Sequence, residues 1–140
     1  EEFYDKKEVG ALGISNCYDL DVLKYLFNNA KVKPSIVQNR FYAQSGYDKE
    51  LRAFCKQNNI TYESFWSLTA NPNILSSEVL QNLALKYEKG VAEIFYRFLN
   101  HINIVPLNGT TSLKHMIEDL KIGEFELTRE EINSIYNLLN

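Results

Sequence analysis

Cysteine is scarce in this sequence: Cys17 and Cys55 are the only two in 140 residues. A small secreted domain stapled by disulfides normally carries more, so the expected setting is reducing and cytoplasmic. Long apolar runs are also missing. Stretches such as Ile36-Val37 and Ile104-Val105 fall far short of the roughly 18 to 20 residues a bilayer span requires, so no membrane segment is expected. Basic excess is absent too. Fifteen Lys+Arg stand against eighteen Asp+Glu, giving a net charge of -3 and a pI near 5.4. Without a basic stripe there is no footprint for a phosphate backbone, which excludes nucleic acid as the expected partner. The chain opens on Glu1 rather than Met, and nothing before the first apolar run has the charged-then-apolar pattern of a signal peptide. A longer gene product is therefore expected. No low-complexity linker or internal repeat divides the sequence. With 45% hydrophobic and 24% charged residues, residues 1–140 read as one globular unit able to bury a core.

Periodicity then predicts alternating strands and helices. Residues 10–15 (GALGIS) form a compact apolar run, and Asp19 is placed to cap a helix carrying Leu20, Leu23, Leu26 and Phe27 that stops at Asn28-Asn29. Pro34 opens a second strand through Asn39, since proline is tolerated at a strand start. Asp48 is expected to begin a helix in which Leu51, Phe54 and Cys55 face inward. A third strand is expected over 60–66, and a loop over 67–75. Two helices follow, over 79–87 and 91–102 on either side of Gly90, then a fourth strand over 103–106. Asn108-Gly109 reads as a turn before a helix over 112–120. Thr128-x-x-Glu131 is a capping box for a last helix through Leu139. The acidic segment 124–131 reads as a solvated face. Strands alternating with helices predict an α/β fold of parallel βα units with right-handed crossovers. Four strands cannot close a barrel that takes about 250 residues, so the choice lies between an open sheet and half of a barrel.

The blocks GALGISNCYDLDVLKYL, KPSIVQNRFY, SFWSLTANP and IVPLNGTTSLKHMIEDL resemble, in order and over the whole chain, the second half of the aldo-keto reductase family. The resemblance implies half of an eight-stranded β/α barrel, with residues 1–9 as the tail of a helix. It also implies carbonyl reduction by hydride transfer from a nicotinamide cofactor, NADP or NAD. The family's catalytic Asp, Tyr, Lys and His lie in its other half, so no catalytic residue is expected here, the chain alone should be inactive, and its cofactor binding should be weak or absent. Tyr42, Tyr47 and Tyr62 fall in blocks where the family has no catalytic tyrosine, and they read as ordinary packed rings.

What the resemblance does imply is a cofactor cradle. Ser15, Asn16 and Gln38 match residues that hydrogen-bond the nicotinamide carboxamide, a group with one acceptor and two donors. Phe65 matches an aromatic that stacks on the nicotinamide, and a phenyl ring keeps the required π-face. Ser67 and Leu68 open a loop similar to one that folds over the pyrophosphate. Asn108, Gly109 and Thr110 precede a helix and resemble a segment receiving the adenosine phosphate. Asp119 falls where the family often has an Asn touching adenine. The family pattern places a Lys after the proline and an Arg further along. This chain has Leu107 and His115 there, which weakens the charge partners of a 2′-phosphate, although Lys114 stands nearby.

Without a cofactor context, Asn16 reads as a turn residue and Gln38 as an exposed strand polar. Trp66 reads as a pocket wall or as packing, and Cys17 as a reactive thiol or an inert buried one. The two cysteines and two histidines lack metal-ligand spacing, and no metal is expected. A rival expectation is a natural, non-catalytic half-barrel acting through self-association or a partner, because open strand edges and an uncovered apolar face invite pairing.

Overall fold

The computed structural model describes residues 1–139. Four strands form one parallel sheet in the order β1 (Gly13–Ser15), β2 (Ile36–Arg40), β3 (Thr61–Phe65) and β4 (Ile104–Pro106), so β1 and β4 are its edges. A short helix, α1 (Glu2–Asp5), precedes the sheet. Between strands run α2 (Leu20–Asn29), α3 (Lys49–Gln57), α4 (Pro72–Leu75), α5 (Glu78–Tyr87) and α6 (Val91–His101). After β4 come α7 (Leu113–Leu120) and α8 (Arg129–Tyr136). This is the expected βα alternation, and every strand pairs in parallel with its sequence neighbour.

Local chemistry sets most boundaries as the sequence predicts. The Asp19 carboxylate accepts from the backbone N–H groups of Asp21 and Val22 at 2.8 and 3.2 Å, capping α2. Ser77 caps α5, Ser112 caps α7 and Thr128 caps α8. Gly90 opens α6, where the Glu93 carboxylate accepts from the Gly90 N–H at 2.8 Å. Two expectations are corrected. The first strand begins at Gly13 rather than Gly10; upstream, the Leu12 carbonyl accepts the Ser35 N–H before the ladder starts. A Cβ at Gly13 would come within 3.0 Å of the Ile36 backbone oxygen, so the approach of β1 to β2 requires glycine there. The loop expected over 67–75 contains α4, with Pro72 at its first position.

The helix α3 begins directly after Asp48, as expected, although the Asp48 side chain makes no capping bond; Gly46, Tyr47 and Asp48 all have positive φ, at 58°, 54° and 51°. This left-handed turn points the Asp48 carboxylate into the core, where Oδ2 accepts from Asn39 Nδ2 and from the Tyr62 hydroxyl, both at 2.8 Å. Asn39 also accepts from the Cys17 N–H at 2.9 Å and donates to the Cys17 carbonyl at 2.6 Å. Burial and the adjacent Asp48 charge hold the Tyr62 phenol far above its ordinary pKa, so it stays a donor. The Tyr47 carbonyl accepts from Arg52 Nε at 2.8 Å, and the Tyr47 ring packs on Phe41 at 4.9 Å.

The helices cover one face of the sheet. Val37 and Asn39 on β2, Tyr62 and Ser64 on β3 and Ile104 on β4 are buried against them, with Leu23, Leu51, Phe95, Phe98 and Ile135. Because side chains alternate along a strand, Ser15, Gln38, Arg40, Glu63, Phe65 and Val105 occupy the other face, which is half-buried to exposed. Among the described residues no helix is long and apolar enough to cross a membrane.

The acidic segment is solvated at Glu124, Glu126 and Glu130, as expected, while Glu131 is half-buried. Glu126 pairs with Arg97. Glu131 accepts from Lys86 Nζ at 2.5 Å, from the Tyr87 hydroxyl at 2.7 Å and from the Thr128 N–H at 2.7 Å. Burial opposes its ionisation, but these donors outweigh it and hold the carboxyl down at about 2.

Two outcomes are expected in denaturant titration. Asn39→Leu removes one of the two donors to the Asp48 carboxylate and leaves both Cys17 backbone groups without their partner, and costs about 3 kcal/mol or more, whereas Tyr62→Phe costs roughly 1 to 3 kcal/mol. Glu131 has a depressed folded-state pKa, so its stabilisation is present above its unfolded value near 4.5 and disappears as pH falls toward 2. Glu131→Gln flattens that part of the stability–pH curve.

Candidate functional site

The ends of parallel strands toward which their C-termini point are where α/β folds gather ligand-binding groups. Most of the expected residues collect there. Ser15 and Gln38 are register partners on β1 and β2. The Ser15 hydroxyl donates to the Gln38 carbonyl at 3.1 Å, and Asn16 Nδ2 donates to Ser15 Oγ at 3.2 Å. Asn16 itself sits at φ 56°, the left-handed turn that ends β1. Gln38 Nε2 donates to Glu63 Oε2 at 2.9 Å across the β2–β3 register. The trio is thus preassembled, with its side chains on or beside the uncovered sheet face.

A cleft of about 500 Å³ lies beyond β3 and β4, and gathers Phe65, Ser67, Leu68, Asn108, Gly109, Thr110 and Asp119. These are seven residues drawn from three separate segments. Trp66, Thr69, Tyr96, Leu107 and His115 complete its walls. Asn108 Nδ2 donates to Asp119 Oδ2 at 2.6 Å. Burial raises the Asp119 pKa, against the pull of His115. Thr110 Oγ1 accepts the Ser112 N–H at 3.1 Å and lies 3.4 Å from His115 Nδ1. No Lys or Arg lines the cleft; Lys114 pairs with Glu118 instead.

The loop after β3 is built from within. Ser67 is buried and its hydroxyl shares a 2.8 Å hydrogen bond with Ser64, so that hydroxyl serves the loop rather than a ligand. The deeper anchor is Asn71, which its sequence context presents only as a turn residue. It is 3% exposed, and its Nδ2 donates to the Phe41 and Ser67 carbonyls at 2.7 and 2.8 Å. An Asn immediately before a proline is a recognisable turn signal, but its burial depends on chain segments 30 residues apart.

The tyrosines behave as packing groups. Tyr47 and Tyr62 are buried, and Tyr42 stacks edge-on with Tyr18 at 5.9 Å. Cys17 is buried, with its thiol pKa raised by burial and by Asp19, and burial pushes Cys55 up to about 12. Both are inert thiols. Trp66 is a wall rather than packing: it is 57% exposed and carries Arg40 against its ring.

No protein-family profile matches the chain. It is 31% identical over 135 residues to glyoxal reductase of Bacillus subtilis (strain 168), covering 96% of this chain and 48% of that protein. An aldo-keto reductase enzyme from a Medee basin deep-sea metagenome library superposes with a TM-score of 0.88 at 28% identity, covering 99% of this chain and 51% of that one. An aldo-keto reductase complexed with NADPH superposes with a TM-score of 0.81 at 21% identity, over 97% of this chain and 44% of that one. The chain thus spans about half the length of the curated relatives it matches, and its sheet and helices correspond to about half of an aldo-keto reductase barrel.

Asn71→Ala removes two buried hydrogen bonds and costs about 2 to 3 kcal/mol. Hydrogen exchange should show residues 67–71 losing protection well before β3 does.

Proposed function

We propose that this chain is the cofactor-holding second half of an NAD(P)H-dependent aldo-keto reductase. The observation that carries the reading is the convergence of Phe65, Ser67, Leu68, Asn108, Gly109, Thr110 and Asp119 on one cleft beside the Ser15–Asn16–Gln38 cluster. The donor set fits a nicotinamide carboxamide. Asn16 Nδ2 spends one hydrogen on Ser15 and keeps another for an amide oxygen, and Gln38 Oε1 remains to accept an amide N–H. The bound cofactor supplies the hydride. This chain's residues orient the ring that carries it: Phe65 against one face, the polar trio at its carboxamide.

The adenosine end departs from a phosphate trap. Its side chains include Asp119 and His115, without a Lys or Arg. A carboxylate there suits a ribose hydroxyl better than a 2′-phosphate, so the chain should not discriminate strongly for NADPH over NADH.

Nothing in this reading gives the chain a general acid. The complementary half of a barrel would provide proton transfer to the carbonyl oxygen, and the chain alone is inactive. A second reading is favoured by a specific surface: Leu113, Met116, Ile117 and Leu120 of α7 are all exposed along one side of the helix. On that reading the chain is a natural half-barrel that self-associates or pairs with a partner.

Calorimetry and a turnover assay test the first reading. Weak binding of both NADH and NADPH is expected, with no aldehyde-dependent cofactor oxidation. Turnover near that of intact reductases, or the absence of any cofactor binding, would sink it. Sedimentation at micromolar concentration separates the second reading, which a clean monomer contradicts.

A further inference from the structure

Arg40 ends β2 on the uncovered face of the sheet, in register with Phe65. Its guanidinium carbon lies 4.2 Å from the centroid of the Trp66 ring and 5.3 Å from that of Tyr42. Tyr42 meets Tyr18 edge-on, and the Tyr18 hydroxyl accepts the Arg40 backbone N–H at 3.1 Å. The guanidinium is therefore held against two aromatic rings, Trp66 and Tyr42, while the Tyr18 hydroxyl fixes the Arg40 backbone. Stacking uses the faces of a guanidinium and leaves its in-plane N–H fork free.

That fork has no anion. Arg40 Nε is buried without a hydrogen-bond partner. Arg97, Lys86, Lys89 and Lys31 all pair with carboxylates, yet no ion pair to Arg40 forms among the described residues. The carboxylates of the site are engaged elsewhere, Glu63 by Gln38 and Asp119 by Asn108. A buried, unsatisfied donor on a charged group is costly unless something fills it.

Trp66 adds an independent sign. It is not glycine, yet its φ is 56°, and this backbone holds a largely exposed indole over Arg40. Strain of this kind concentrates at ligand-binding positions.

We propose that Arg40, held against the rings of Tyr42 and Trp66, recognises the carboxylate of a small anionic ligand. On the reading of the chain as a reductase half, from which this assignment of substrate follows, the carbonyl compound reduced is an oxo acid. Its carboxylate takes the guanidinium fork, while the oxo group lies toward Phe65, where the nicotinamide would stack. The fork–carboxylate match is bidentate and directional, which an ammonium would not provide.

Trp66 is the only tryptophan in the chain, so its fluorescence reports on the Arg40 site directly. The 140-residue chain at low ionic strength is titrated with pyruvate, with pyruvamide as the uncharged analogue, and with inorganic pyrophosphate. Pyruvate should change the emission saturably, with pyruvamide requiring about tenfold higher concentration or more. Arg40→Gln should abolish the pyruvate response with an unchanged far-ultraviolet circular dichroism spectrum, and Arg40→Lys should retain only part of it. If Arg40→Gln does not fold, Arg40→Lys carries the comparison. Equal responses to pyruvate and pyruvamide, or a variant that titrates like the parent, overturn the proposal. A stronger response to pyrophosphate than to pyruvate also overturns it, by assigning Arg40 to a phosphate. Calorimetry with NADPH keeps the two proposals apart. Cofactor binding without a pyruvate response removes the carboxylate site alone, and a pyruvate response without cofactor binding removes the reductase reading alone.

Discussion

Asn39 is the interaction on which the site end of the sheet depends. One buried amide on the second strand grips both backbone groups of Cys17, just past the first strand, and the carboxylate of Asp48, before α3. Tyr62 of the third strand closes the network from the other side. An amide has both a donor and an acceptor end, so a single side chain can tie together two loops that an apolar residue would merely fill between. The network is wholly buried, and its groups are satisfied only in one arrangement, which fixes where Ser15 and Asn16 emerge relative to Gln38.

The same end of the sheet is shaped by left-handed turns. Asn16 follows β1, Trp66 follows β3, and Tyr47 and Asp48 precede α3, all with positive φ. Asparagine and aspartate tolerate that region through local hydrogen bonding, whereas tyrosine and tryptophan do not. At Tyr47 the turn is held by Arg52 and by packing on Phe41. At Trp66 the holding groups are the Arg40 stack and the loop anchored by Ser64, Ser67 and Asn71.

The two faces of the sheet tell different stories about completeness. One is a packed core of Leu23, Val37, Phe95, Phe98 and Ile104 under helices. The other carries Ser15, Gln38, Arg40, Glu63 and Phe65, side chains that in a closed barrel would face its interior. The chain matches about half the length of aldo-keto reductase barrels, which fits a sheet with one open face.

Much of the architecture was legible from residue order. The period of apolar positions and the capping residues Asp19 and Thr128 placed the helices, because these signals act within one or two turns of chain. The motif blocks placed Phe65, Asn108 and Asp119 as site candidates before any contact was known. Asp48 stands where its helix is expected to begin, but whether its carboxylate caps that helix or turns inward depends on Asn39 and Tyr62, nine and fourteen residues away. Asn71 and Arg40 were silent for the same reason. Sequence by itself determined which segments become strands and helices, since those choices are local. Tertiary structure alone decided which polar groups are buried and which cation is left without an anion, because both depend on what distant segments bring alongside.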